Sequence, residues 1–269
     1  MAEPNVGAEE LERIYAALNR REYVHPDPLE FLYRYDDLED REVAGIVSAS
    51  LAYGRVKQIL ASVDRVLRVL GPSPAAFLSE ARPGALEKDL AGFKHRFTTG
   101  EEMALLLRSV SDAQSAHGSL GELFAKLVRR DEETVVPALE RFTAALRGDV
   151  WCGRSSVLPE PTKGSACKRL HLFLRWMVRR DEVDPGGWNG VPASKLVVPL
   201  DTHMHRIGRM LGLTRRAQAD IRTALELTGA FREFAPDDPV KYDFALTRLG
   251  IRNDVTIESM LPGAAAGAR

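Results

Sequence analysis

Two stretches of the 269-residue chain hold side chains suited to chemistry. The first, Lys163-Gly164-Ser165-Ala166-Cys167-Lys168-Arg169, sets a glycine turn and three cations ahead of an apolar run. A turn feeding a helix leaves backbone N–H groups free, and the helix dipole adds partial positive charge, so phosphate is a suitable ligand there. The same residues also make an ordinary helix start with solvated cations. The second stretch, Val198 to Gly212, carries Asp201, His203, His205, Arg206 and Arg209. Asp201 follows Pro199 and an apolar run, where a helix can begin, so its carboxylate suits an N-cap as well as a reaction centre. On a strand, Asp201, His203 and His205 would share a face and could bind a metal ion. On a helix the two imidazoles stand roughly 200° apart. The spacing of Ile207, Met210 and Leu211 favours the helix, so no metal site is expected. Asp237-Asp238 with Asp243 offers a second possible metal cluster, although Asp-Asp-Pro reads first as a helix entry cap.

The elements that must position these groups are helical. Apolar residues recur at three and four spacings almost throughout, and alternating β-branched runs are nearly absent, which predicts an all-α fold. Helices are expected near 8–20, 40–52, 56–69, 101–116, 120–128 and 134–146, with breaks at Gly54, Gly71-Pro72-Ser73-Pro74, Pro83-Gly84 and Gly118. Gly148 to Lys163 reads as a long loop. Ser165 to Arg179 reads as a mostly buried helix with cationic ends. Asp181 to Pro192 is expected to be a loop. Further helical pattern covers 195–213, interrupted at Pro199, then 216–228 and 239–249; the tail 263–269 should fray.

Charge is segregated along the chain. The whole sequence sums to −1, but 151–216 holds 12 basic and 5 acidic residues, a balance of +7, against −6 before it and −2 after it. A concentrated positive segment suits a polyanion, although basic residues also make plain solvated surface. Only two cysteines occur, Cys152 and Cys167, too few for a four-thiolate metal or iron–sulfur site. With an acidic N-terminus and no long apolar span, the expected location is cytoplasmic, without membrane association.

Val-Pro-Leu-Asp-Thr-His-Met-His-Arg-Ile-Gly-Arg-Met-Leu-Gly-Leu, from Val198, resembles the Val-Asp-Thr-His…Arg…Arg-Leu-Gly segment of the helix-hairpin-helix DNA glycosylases, the endonuclease III-like superfamily. Gly164-Ser-Ala-Cys-Lys168 is similar to their Gly-Val-Gly-Arg-Lys hairpin. Arg41 to Ala52 with Tyr53-Gly54-Arg55-Val56 is similar to the early segment that carries the base-inserting loop. Leu-Arg-Trp-Met-Val-Arg, Pro-Leu-Asp-Thr-His and Asp-Pro-Val-Lys-Tyr-Asp-Phe-Ala-Leu also resemble a bacterial family that brings no activity with it. The sequence departs from the glycosylase pattern at Ala166, which replaces the second hairpin glycine, and at Pro159 and Pro161, which interrupt the preceding helix. Lys168 and Asp201 lie 33 positions apart, longer than the usual gap in endonuclease III, a region that archaeal 8-oxoguanine glycosylases of this fold also lengthen.

The resemblance implies two helical lobes around a cleft, about 1–150 and 151–262 within one unit, and base-excision N-glycosylase activity on damaged double-stranded DNA. It places Asp201 as the catalytic carboxylate and Lys168 as the Schiff-base nucleophile of an AP-lyase step. Lys163, Gly164, Ser165, Arg169, His203, Arg206 and Arg209 would then contact nucleic acid, and no cofactor is expected. A flipped base needs a pocket, for which Tyr53, Trp176, Trp188 and Tyr242 are the candidate walls, although aromatics more often fill cores. Two other readings remain open: a scaffold that binds nucleic acid without chemistry, and a metal-dependent hydrolase.

Overall fold

The computed structural model describes residues 6–151, 153, 155–161 and 164–251. The architecture is all-α as the periodicity predicts. Its helices are α1 Ala8–Leu18, α2 Leu38–Ser50, α3 Val56–Leu70, α4 Pro74–Glu80, α5 Ala85–Asp89, α6 Gly100–His117, α7 Leu120–Leu127, α8 Val136–Arg147, α9 Lys168–Val178, α10 Thr202–Met210, α11 Ile221–Phe234 and α12 Asp243–Ile251. A two-stranded ribbon, β1 Lys94–His95 and β2 Thr98–Thr99, pairs antiparallel between α5 and α6. No helix among the described residues is long and apolar enough to cross a membrane.

The sequence pattern located most of the long helices within a few residues, but α11 lies about five residues later than the expected 216–228, α10 covers only the middle of 195–213, and α4, α5 and the ribbon were not resolved. These have two to seven residues each, too few for a period to appear. The expected helix at 165–179 begins later, at Lys168, because Cys167 takes a left-handed conformation with φ of 42°. Positive φ at an L-residue other than Asn or Asp is uncommon, so the residue type gave no sign of it. The strained position therefore falls one residue after Ala166. The expected tail, 263–269, lies outside the described residues.

Helix α2 is the centre of the molecule. Its stretch from Glu42 to Ser50 is buried, and it packs on α9 and on the 3-10 segment Pro28–Arg34. Gly45 makes the close approach to α9 possible: a Cβ there would lie 3.0 Å from the Phe173 ring. Beneath it, the fully buried Glu42 carboxylate accepts from the Leu120 and Gly121 N–H groups at the start of α7, from Gln114 Nε2 and from Trp188 Nε1, at 2.7–3.0 Å. Burial raises its pKa, and these four donors oppose that shift.

Helix α9 carries a second buried polar group, His171, whose pKa burial lowers to about 4. Folding thus favours the neutral imidazole, whereas the unfolded chain takes up a proton below its ordinary value near 6.5. The resulting stability is complete above pH 6.5 and is lost as pH falls from 6.5 to 4. We expect wild type to lose about 3 kcal/mol more than His171→Leu between pH 7 and pH 4 in denaturant titrations. Equal losses for the two proteins would remove His171 from the acid limb.

Candidate functional site

Helices α9 and α10 begin side by side, and each brings one charged side chain to the same opening. Gly164, with φ of 76°, and Cys167 shape the turn before α9, while Ser165 Oγ accepts from the Cys167 N–H at 3.3 Å. Lys168 is then the first residue of its helix. Across from it, Asp201 caps α10: Oδ1 accepts from the Met204 N–H at 2.8 Å. Oδ2 meets Lys168 Nζ at 3.0 Å. Asp201 is therefore a cap and an ion-pair partner together. Gly208 lets α10 seat against α11, since a Cβ there would meet Leu227 Cδ2 at 2.5 Å.

The pair stands at a junction between two cavities. An inner recess of about 110 Å³ is walled by Asp27, Leu172, Arg175, Asp243, Phe244 and Arg248, among others. An outer groove of about 760 Å³ includes Tyr53, Gly54, Val56, Thr202 and His203. Lys168 and Asp201 line both. Side-chain exposures of 33% and 23% leave the pair reachable from solvent.

Electrostatics divides the two acids of the site. Burial raises the pKa of Asp201, but Lys168, the Met204 N–H and His203 outweigh it and hold the carboxyl below its ordinary range. Asp243 goes the other way, pushed up to about 6 by burial and by the nearby Asp201 charge, against the pull of Arg175 and Lys168. A carboxylate and a carboxyl that is neutral in mild acid thus face one recess.

Behind the recess lies an ion network. Arg175 holds Asp184, at 3.2 Å from Nε, and Asp243. Arg179 holds Asp184, Asp238 and Asp181. Arg248 pairs with Asp27. The loop from Asp181 to Trp188 is tied back to α9 by Gly186 N–H to Trp176 O and Trp188 N–H to Met177 O.

Several residues singled out from sequence take other places. Trp176, Trp188 and Tyr242 do not line either cavity; they are core residues with 1%, 5% and 1% exposure. Trp188 sits among the Phe124, Phe142 and Phe173 rings, and Tyr242 packs near Tyr15 and Phe231. Their large apolar area wins over a place in a wet wall. Of the four aromatics only Tyr53 reaches the groove, fixed by its hydroxyl to His95 O and Thr98 Oγ1. Arg169 is turned inward, donating to Ser50 O at the end of α2 and stacking over the Tyr53 ring at 4.9 Å. It satisfies an orphan helix carbonyl rather than facing an outside anion.

Gly164, Ser165, His203, Arg206 and Arg209 are exposed, but neither Arg206 nor Arg209 lines the recess or groove. Lys163 lies outside the described residues. The positive segment also spends Arg175 and Arg179 on internal acids, which reduces what it shows to solvent. His203 and His205 lie on the helix α10 and diverge, and His205 Nε2 is bonded to Arg216 O at 2.9 Å. The recess residues Asp27, Arg175, Asp243 and Arg248 escaped the sequence reading as site residues, although Asp243 drew attention as an acid.

Residues 27–252 match the model of a family described as "Protein of unknown function (DUF2400)". The span begins at Asp27 and includes every residue of the recess. No curated protein and no solved structure matches the chain.

Proposed function

The chain belongs to the DUF2400 family, and from its site we propose a DNA base-excision N-glycosylase with a lysine placed for an AP-lyase step. The observation that carries this reading is the 3.0 Å approach of Lys168 Nζ to Asp201 Oδ2 at the mouth of a recess. Breaking an N-glycosidic bond builds positive charge on the sugar. A fixed carboxylate beside it stabilises the transition state more than the ground state. Asp201 is held ionised for that task. Its cap to Met204 fixes its direction, so little reorganisation is needed as charge develops.

Lys168 has two uses in this scheme. As an ammonium it attracts phosphate and keeps Asp201 ionised; after giving up a proton, its amine can attack the anomeric carbon. The inner recess is smaller than the roughly 150 Å³ cavity that holds a benzene ring. A flipped base would therefore keep its ring in the outer groove and pass only an edge inward. The likeness of the Gly164–Lys168 and Val198–Gly212 segments to the helix-hairpin-helix glycosylases supports the same reading. On it, two helical lobes meet along the groove.

Duplexes each carrying one altered base, together with an abasic duplex, test the proposal. Wild type is expected to release at least one base and to form a borohydride-trapped adduct on the abasic duplex, whereas Lys168→Gln forms none. DNA binding by both should weaken steeply as salt rises. Salt-sensitive binding with neither release nor adduct would replace this reading with a non-catalytic nucleic-acid-binding role. Loss of activity on adding a chelator would favour the metal-dependent hydrolase.

A further inference from the structure

Two residues of the recess wall each hold a buried polar atom with no partner within the protein: Asp243 Oδ1 and Arg248 Nε. The two residues are only 3% and 6% exposed. Buried polar groups in folded proteins are nearly always hydrogen-bonded, so two orphans on one cavity mark a place where something else supplies the partner. The rest of each side chain is anchored. Asp243 Oδ2 is held by Arg175, and the Arg248 guanidinium by Asp27 through Nη2. Anchoring one oxygen of Asp243 leaves the other without a partner in the protein.

We infer that Asp243 is a further catalytic residue, giving a proton from Oδ1 to a departing purine base while Arg248 Nε–H donates to the same base edge. This role rests on the glycosylase reading. Two donors select an edge with two neighbouring acceptors, as N7 and O6 of a guanine-type purine provide. In the step, the C1′–N9 bond breaks and its electron pair passes into the base. The proton moves from Asp243 Oδ1 to N7, so the base leaves uncharged. Water adds to C1′ and releases a proton to solvent, from which Asp243 is recharged. Asp201 stays ionised throughout and balances the charge on the sugar.

The surroundings fit a carboxyl that holds its proton in mild acid. Facing Asp243 are Arg175 and Lys168 from α9, Asp201 at the start of α10, Asp184 behind Arg175, and Asp27 with Arg248 in the recess wall. On α10, His203, Arg206 and Arg209 are exposed and His205 is bonded to Arg216 O. From α1, Glu12 is taken up by Lys241 and Tyr242, ahead of α12. Burial and the Asp201 charge bring the Asp243 pKa to about 6. An acid role then predicts that base release falls as pH rises through that value.

Asp243→Asn keeps an oxygen for Arg175 but has no acidic proton. It is compared with wild type on duplexes bearing hypoxanthine, whose N7 and O6 are free acceptors, and 7-methylguanine, whose base already carries positive charge and leaves without protonation. We expect a loss of about 10²- to 10⁴-fold on hypoxanthine, with the alkaline fall of the pH profile removed. On 7-methylguanine the loss should be under about tenfold. That retained activity also shows the variant to be folded. Equal losses on both duplexes would reduce Asp243 to a structural part, and unchanged hypoxanthine release would remove it from the reaction. A wild type that releases no base from any duplex would instead sink the glycosylase reading and this role with it.

Discussion

Asp201→Asn is expected to slow base release by about 10²- to 10⁴-fold, with DNA binding and folding close to wild type. The size follows from the kind of interaction removed. A carboxylate beside a developing cation counts in the transition state and hardly at all in the bound substrate, so its loss appears in kcat. The folded state should tolerate the change. Asn is as good an N-cap as Asp, so the Met204 N–H keeps an acceptor and α10 keeps its start. The Lys168 pair is partly exposed, and pairs of that kind contribute about 1 kcal/mol or less. Single-turnover base release beside a thermal melt separates the two effects. Activity within a factor of about three of wild type would overturn the role of Asp201, and a collapsed melt would show that the cap matters more than the charge.

The largest effect on stability belongs to the acid at the centre of the buried network. Asp184 is fully buried and bridges two guanidinium groups that are themselves 3–4% exposed. Its own pKa is raised by burial, with Arg175 and Arg179 pulling it back. Removing one partner from such a set leaves charge without compensation in a poorly solvated place, at a cost of about 3–5 kcal/mol. Asp184→Ala should therefore lower the unfolding free energy by about that amount in urea titrations. Asp184→Asn, which keeps an acceptor oxygen, should cost less. A loss under about 1 kcal/mol for the alanine variant would mean that water or the remaining carboxylates already satisfy both arginines. The arrangement does not make the network a net source of stability, because well-packed apolar residues often do as well. Its use is positional: the guanidinium that pairs with Asp184 is also the one that fixes Asp243.

How far the site was legible depends on how local its determinants are. Lys168 and Asp201 each sit in a short segment with a recognisable local role, a turn before a helix and a cap, and it is the resemblance of those two segments to the glycosylases that singles them out as candidates. Asp243 and Arg175 are separated by 68 positions, and no local pattern links an arginine on one buried helix face to an acid at the start of another. The deep end of the recess was hidden for that reason. Tyr53 and Trp188 show a different limit. An aromatic side chain carries the same apolar area whether it fills a core or lines a groove, and only the packing of Phe124, Phe142 and Phe173 around Trp188 decides. Arg169 shows a third limit: a cation at a helix start can satisfy either an outside anion or an internal carbonyl, and here it donates to Ser50 O.

The link between Asp27 and Arg248 spans 221 positions of the chain. Both residues wall the recess, and α1 and α12 pack on each other outside it. In the order of synthesis the early and middle helices come first, and this part of the recess wall arrives only with the last described helix. A chain cut short before Asp243 would keep Lys168 and Asp201 yet lack Asp243, Phe244, Thr247 and Arg248 from the recess wall. The recess is in this way complete only in a chain made through to that helix.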